Sequence, residues 1–470
     1  MVRWLPWSAD AFARASREQK PVLLSITAAW CRACHEMDRT TYADPAVAAL
    51  IHDRFVPVRV DTDRRPDINE RYNLGGWPTT AFLTADGAVI TGGTFVPLER
   101  MPGVLAQVAS VMETVGASLS ADSEPAADSR QPEARSWKPE AETAIVIESI
   151  FATFDAECGG FGIEPKFPHT VPLHLAMGLF HETGDERWHH IVRRTLEAMA
   201  DGGLRDRASG GFYRYATTRD WQLPHEEKLL ETNAALLRVY ADAASLLGDP
   251  ADLERCRAVA GFITTGLRAE AGGYYGSDAE PILYIDSNAA AAGALLRAAA
   301  VLDDSALARE ALASFERVLL LCYRPGLGLS HYFDGAARVR GLLLDHVAVI
   351  GGLLEAHDAS GLEPYRMMAE ELGHIVVRDM RDEADGGFFD RASTPEDVGL
   401  LRNRRKPFIG NAEAALAFGR LSRLEPRKGF PDPAGFRAHA EAALAAAERQ
   451  LDGQGPLAAH YALARRLLID

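Results

Sequence analysis

Apolar and polar positions follow two different rhythms along this chain. In the first 115 residues, short apolar runs are separated by turn-forming residues. Pro21-Val22-Leu23-Leu24-Ser25-Ile26 reads as a buried strand, as do residues 55–61, 79–84 and 88–91. Between them, Asp44-Pro45 opens a helix over 46–53 and residues 67–73 read as a short helix stopped by Gly75-Gly76. Ala85-Asp86-Gly87 turns between the last two strands, and 97–115 supplies a closing helix. Strands alternating with helices predict a small α/β unit over 1–115.

Residues 116–142 break that rhythm. They are rich in Ala, Ser, Pro, Glu and Asp with few apolar anchors, the composition of a flexible linker. From Thr143 onward the pattern becomes helical and rich in Ala and Leu, as in 233–247, 289–302, 306–321, 346–360 and 412–424, and strands are scarce. A glycine-aromatic element recurs between these helices: Gly159-Gly160-Phe161, Gly210-Gly211-Phe212, Gly272-Gly273-Tyr274, Gly326-Leu327-Gly328 with Tyr332-Phe333, and Gly386-Gly387-Phe388. Its period of about fifty to sixty residues accommodates two helices per unit, and a weaker sixth unit lies near 453–456. Six helical hairpins closed into a ring, an (α/α)6 toroid over 143–470, is the expected architecture. The aromatics after the glycines are expected to point toward the ring axis, either filling its narrow end or lining its mouth as a stacking platform.

Composition narrows the class. At 470 residues the chain is too long for the first unit alone. With no uninterrupted apolar run long enough to cross a bilayer, it reads as a soluble globular protein. A net charge of −16 weighs against nucleic acid or an anionic membrane as partner. Five cysteines, odd and sparse, fit a reducing compartment, and Met1-Val2-Arg3-Trp4-Leu5-Pro6-Trp7-Ser8 has no apolar signal core, so a cytoplasmic location is expected.

The chemistry concentrates at Trp30-Cys31-Arg32-Ala33-Cys34, placed where the first strand feeds a helix. Two thiols on a first helical turn can close a small disulfide, and the exposed N–H groups of a helix N-terminus stabilise a thiolate on the first sulfur. Cys31 is therefore the expected nucleophile, with Cys34 as its partner. Cys31 to His35 also fits a c-type haem attachment signature, but that needs an exported protein. A structural zinc site would need a second ligand pair, and Cys158, Cys256 and Cys322 are isolated in sequence. No cofactor and no metal are expected. Pro78, opening a strand after Trp77, is expected to form a cis peptide that brings backbone close to the sulfurs.

Lys20-Pro21, Cys31 to Met37, Val60 to Ile68 and Gly75 to Thr80 together resemble a thioredoxin-fold domain, more narrowly the N-terminal domain of the spermatogenesis-associated protein 20 family, also described as DUF255. The acid that thioredoxins bury five residues before the motif tryptophan is Ser25 here. Further blocks resemble the same family along nearly the whole chain: Asp206 with Gly210-Gly211-Phe212 and Arg214-Tyr215, then Trp221, Pro224-His225, Glu227-Lys228, Ser277 to Glu280, Tyr284 to Asn288, Leu344-Asp345-His346 and Pro407 to Asn411. Tyr213, Thr218 and Glu226 depart from the family pattern, and a segment usual between Glu280 and Tyr284 is missing, which predicts a shorter rim around the ring mouth.

The resemblance implies a two-domain protein, an α/β thioredoxin-like fold followed by an (α/α)6 toroid similar to sugar 2-epimerases and six-hairpin glycosidases. It implies a thiol–disulfide oxidoreductase acting on a protein or small-molecule disulfide client, with Trp30, Cys31, Cys34 and Pro78 at its site. A possible second site in the toroid, for a sugar-like ligand, gathers Asp206, Arg214, Tyr215, Trp221, His225, Lys228, Asp278, Asp345 and Asn411. His225 and Lys228 on one helical face, with the acids nearby, would supply acid–base catalysis. The plainer reading makes the same groups helix caps and ion pairs.

Overall fold

The computed structural model describes residues 1–115, 139–429 and 431–469, so the linker expected at 116–142 lies outside the described residues except for its last four, which begin a helix. The chain divides into two compact units. One comprises Met1–Gln131 with Ser393–Arg404, the other Pro132–Ala392 with Arg405–Asp470.

In the first unit the order is α1 (Ala9–Glu18), β1 (Val22–Thr27), α2 (Arg32–Arg39), α3 (Pro45–Arg54), β2 (Val56–Asp61), α4 (Pro66–Tyr72), β3 (Thr79–Leu83), β4 (Val89–Gly93) and α5 (Met101–Val115). The strands form one sheet in the order β2-β1-β3-β4, with β1 parallel to β2 and antiparallel to β3. Alternation along β1 explains the layering. Val22, Leu24 and Ile26 join Trp7, Phe12, Ile68 and Tyr72 on one face, while Leu23 joins Met37, Val47, Ile51 and Leu105 on the other. Asp44 caps α3 by accepting from the N–H groups of Ala46 and Val47, with Pro45 as its first residue.

The first unit has a component that its local pattern does not announce. Residues 393–404 pack against α4, placing Val398 and Leu401 in the same core cluster as Trp7 and Tyr72. The Tyr72 hydroxyl donates to Gly87 O (2.9 Å) and accepts from Leu400 N–H (2.8 Å). Arg71 donates to Leu400 O and Asn403 O. Gly87 and Gly399 both have positive φ, and a Cβ on Gly87 would fall on the Gly399 Cα, so the backbones meet only because both side chains are absent. The sequence pattern assigned this stretch to the helical region because its partners lie more than 300 positions away in the chain.

The second unit is the (α/α)6 toroid expected from the repeat. Its inner helices are α7 (Val171–Thr183), α9 (Leu230–Leu247), α11 (Ile285–Leu302), α13 (Leu343–Ser360), α15 (Phe408–Ser422) and α17 (Ala459–Ile469), and α17 packs on α7 to close the circle. The outer helices are α6 (Pro139–Thr153), α8 (Glu186–Asp201), α10 (Pro250–Gly261), α12 (Ser305–Cys322), α14 (Glu363–Met380) and α16 (Phe436–Glu448). Helix α11 has the length and mean hydropathy of a bilayer-crossing segment, although Asp286 and Arg297 interrupt its apolar run. Most of its surface is buried within the unit, between α9 and α13. Three short strands, β6 (Tyr323–Arg324), β7 (Gly328–Phe333) and β8 (Ala337–Arg340), form the fourth interhelical element, and β7 pairs with both of them and with β5 (Leu283–Tyr284), which leads into α11.

The glycine-aromatic turns share one hydrogen-bond device. Asn233, on the first turn of α9, accepts from Phe212 N–H (2.7 Å) and donates to Phe212 O and Leu229 O. Asn288 does the same for Tyr274 and Tyr284 O, and Asn411 for Phe388 and Pro407 O. At the fourth turn the residue is His346, whose Nε2 accepts from Leu329 N–H while Nδ1 bonds to Leu342 O. Burial pushes the His346 imidazole down to about 4, which keeps it neutral and able to play both parts. The clamp fixes where the aromatics go. Phe212 stacks on Tyr240 of α9, and Phe388 lies between Phe418 of α15 and His439 of α16. The first aromatic of these turns therefore fills the wall between inner and outer helices and does not point at the ring axis.

Candidate functional site

Cys31 is the N-cap of α2, and the Cys34 N–H donates to its sulfur at 3.1 Å. The two sulfurs are joined, with Cα atoms 5.2 Å apart. Each cysteine is nearly covered, at 5% and 3% exposure. Trp30 is held beside them by a 2.7 Å hydrogen bond from its indole N–H to Asp63, and its ring meets Trp77 edge-on at 5.1 Å. The Trp77–Pro78 peptide is cis and Pro78 is buried at the start of β3. His35 bonds back to Ala29 O in the turn before α2, and Asp38 pairs with Arg59 of β2, which ties the end of α2 to the sheet. Ser25 is fully buried on the α2 side of β1, where its surroundings include the Tyr42 hydroxyl, itself 3.4 Å from Thr80 Oγ1. Hydroxyls thus stand where the resemblance led one to look for a carboxylate.

The residues expected in the toroid separate into groups. Asp206, Lys228 and Asp278 come together, with Lys228 Nζ at 2.8 Å from Asp206 and 3.8 Å from Asp278. The hydrogen bond from Lys228, helped by Ser209, pulls the Asp206 carboxyl down to about 2. An acid held that low stays ionised at neutral pH and donates no proton. The pair has counterparts: Lys166 with Asp155 at 2.7 Å and Lys406 with Asp382 at 2.8 Å, each acid also accepting from the N–H groups of its own glycine turn. Asn411 is a clamp, as above. Trp221 is completely buried, donates to Cys158 O and lies against Lys166.

A second group faces open space. Phe167, Tyr215 and His225 stack in sequence, with ring centroids 4.8 and 4.9 Å apart, and all three are partly accessible. His225 Nδ1 lies 3.7 Å from Glu227. Arg214 is half-buried, and its charge reaches Glu231, on the first turn of α9. Glu231 is exposed by surface area, while protein packed around it desolvates its carboxyl. That burial raises its carboxyl above the ordinary range, the charge of Asp286 pushes the same way, and Arg214 opposes both.

Asp345 belongs to a third group. It is 1% exposed and sits 2.8 Å from His331 Nδ1 on β7. Asp286, on the first turn of α11, offers an oxygen to the same group, and the donor atoms of all three lie within 4.8 Å of one another. Glu231 and His331 were not singled out from sequence, and Asp286 entered only as a member of the Tyr284 to Asn288 block. Aligning the ring units by their clamps exposes part of this signal, because an acid stands two residues before Asn233 and again before Asn288.

Residues 1–134 match the family model described as "Protein of unknown function, DUF255". Spermatogenesis-associated protein 20 of Rattus norvegicus is 31% identical over 308 residues, which cover 59% of this chain and 38% of that protein. The chain thus spans well under half the length of this relative. The thiol:disulfide interchange protein DsbD of Vibrio vulnificus (strain CMCP6) is 37% identical over 79 residues, 16% of this chain and 13% of that one. A crystal structure of D-mannose isomerase superposes with a TM-score of 0.58 at 14% identity, covering 70% of this chain and 96% of that one, a likeness of fold. Residues 1–134 thus match the DUF255 model, with the described residues 1–115 forming a thioredoxin-like α/β unit that carries the Cys31/Cys34 pair, in a chain similar to spermatogenesis-associated protein 20 whose second unit has the toroidal fold seen in sugar isomerases and epimerases.

Proposed function

We propose that the chain is a thiol–disulfide oxidoreductase working through Cys31 and Cys34, with the helical toroid binding or selecting the client. The observation that carries this reading is Cys31 at the N-cap of α2 with the Cys34 N–H aimed at its sulfur, an environment that favours a thiolate over a thiol. In the reducing direction the Cys31 thiolate attacks one sulfur of the client disulfide, the client S–S bond breaks, and the departing sulfur takes a proton. The Cys34 thiol then loses its proton and attacks the Cys31 sulfur, releasing the second client thiol. The client gains two electrons and the protein is left as its internal disulfide, to be recharged by an external dithiol. Without a carboxylate at Ser25, proton removal from Cys34 is unassisted, so the resolving step is expected to speed up with rising pH. A reducing, cytoplasmic setting belongs to the same proposal. It is supported by the free thiols of Cys158, Cys256 and Cys322, the latter two pushed up to about 12 by burial. The test is reduction of a model disulfide such as insulin by the reduced full chain. Wild type should turn over and Cys31→Ser should not, and equal rates for the two would end the proposal.

The partly accessible Phe167–Tyr215–His225 stack, in a unit with the fold of a sugar isomerase, favours a second reading. In it the toroid is a carbohydrate-active or sugar-isomerising enzyme and the dithiol domain regulates or docks it. A panel of aldoses and disaccharides followed by NMR discriminates the two. Turnover lost in His225→Ala and kept in Cys31→Ser supports the sugar reading, and no turnover of any member rejects it.

A further inference from the structure

We propose that Asp286, His331 and Asp345 form a site for one divalent transition-metal ion, Mn2+ or Zn2+, within the helical ring. The three come from separate stretches that the short strands draw together. Strand β5 runs directly into α11 and pairs with β7 through Tyr284 and Tyr332, which sets Asp286 on the first turn of α11 beside His331. Strand β8 pairs with the other edge of β7 and leads through Gly341 into α13, which brings Asp345 to the same place.

The spacing suits a cation. Ligands at about 2.1 Å from one ion lie roughly 3 Å apart when adjacent and roughly 4 Å apart when opposite. His331 Nδ1 and Asp345 Oδ1 are 2.8 Å apart, and every donor of the trio lies within 4.8 Å of the others. One imidazole with two carboxylates is a borderline donor set that suits Mn2+ and Zn2+, whereas Ca2+ prefers an all-oxygen shell of more ligands. His331 and Asp345 are 4% and 1% exposed, which would fix two ligands rigidly. Asp286 is partly exposed, so the third side of the ion would stay open to water or another oxygen ligand.

Helix first turns alone account for acids at 286 and 345, since carboxylates are stabilised there. They do not account for a buried histidine between them. Among the described residues, His331 lies on the one interhelical element where a β-hairpin stands in place of the repeated turn, so the architecture of the other turns does not call for it.

The test uses the full chain with Cys31 and Cys34 kept oxidised, so that no thiolate competes for metal, and titrates Mn2+ while following the free ion by EPR. One equivalent should bind, weakened at least about tenfold in His331→Ala and in Asp286→Asn. Asp358→Asn, an exposed acid outside the trio, should bind as wild type does. Asp286 is only partly buried, so its variant carries the test even if loss of the buried His331 unfolds the chain. The proposal is overturned by the absence of saturable one-equivalent binding at millimolar Mn2+, or by wild-type affinity in a folded Asp286→Asn protein.

Discussion

Cys31 and Cys34 occupy a single strand-to-helix turn of the first unit, whereas Asp206, Lys228 and Asn411 of the ring each have counterparts doing the same job at other turns. The contrast separates two reasons for a residue to stand out in a sequence. A lysine that recurs with its aspartate in three ring units, or an asparagine that recurs with its aromatic turn in three, answers to the architecture of that turn. A pair of sulfurs at one helix start has no architectural duplicate, and its geometry answers to chemistry. The same criterion moves attention in the ring from the conspicuous Asp206–Lys228 cluster to His331, for which the glycine-aromatic turns show no counterpart among the described residues, although the acid at Asp286 recurs as Glu231.

The sharpest way to break this contrast is at the dithiol. Cys31→Ser should lower disulfide reduction by at least about a hundredfold, to the background of the assay, while Cys34→Ser should accumulate a mixed disulfide with its client, visible by mass spectrometry. Next comes a clamp. Asn288→Ala strands the buried N–H of Tyr274 and two carbonyls, which should cost about 3–5 kcal/mol in urea unfolding of the full chain, with no change in the rate at which the reduced dithiol attacks a model disulfide. An unaltered unfolding midpoint would show that the clamp is dispensable and the argument from repetition mistaken.

A smaller effect tests whether Asp206 is a structural ion-pair partner. Its carboxyl is held at about 2 in the fold, below the ordinary aspartate range, so the pair contributes stability above the unfolded value near 3.8 and loses it as pH falls toward 2. The advantage of wild type over Asp206→Asn, measured by denaturant unfolding, should shrink by about 1 kcal/mol between pH 5 and pH 3. An advantage that grows on acidification would reverse the assignment. The smallest effect expected is Tyr72→Phe, which removes one donor and one acceptor at the junction with Leu400 and should cost about 1 kcal/mol without altering the dithiol rate.

What could be read in the sequence was whatever depends on neighbours along the chain. The strand before Trp30, the helix start at Cys31, the cap at Asp44 and the spacing of the glycine turns are set within a few residues, and the α/β unit and the ring follow from them. The direction of Phe212 and Phe388 was not legible, because it is set by Asn233 and Asn411, 21 and 23 residues further on. The Asp286, His331 and Asp345 group depends on β7 pairing with both β5 and β8, a register that no local periodicity encodes. Arg71 and Tyr72 looked like the end of a short helix, and their partners at Leu400 and Asn403 were invisible at that distance.

That last junction bears on how the molecule is made. Val398 and Leu401 complete a core whose other members, Trp7, Phe12, Ile68 and Tyr72, leave the ribosome hundreds of codons earlier. At about 5–20 residues per second the nascent first unit waits tens of seconds for its last hydrophobic pieces. Until they arrive Tyr72 and Trp7 lack part of their cover, so a message truncated after the closing helix α5 would encode a sticky, incomplete product, and genetic dissection of the redox module has to carry the 393–404 stretch along.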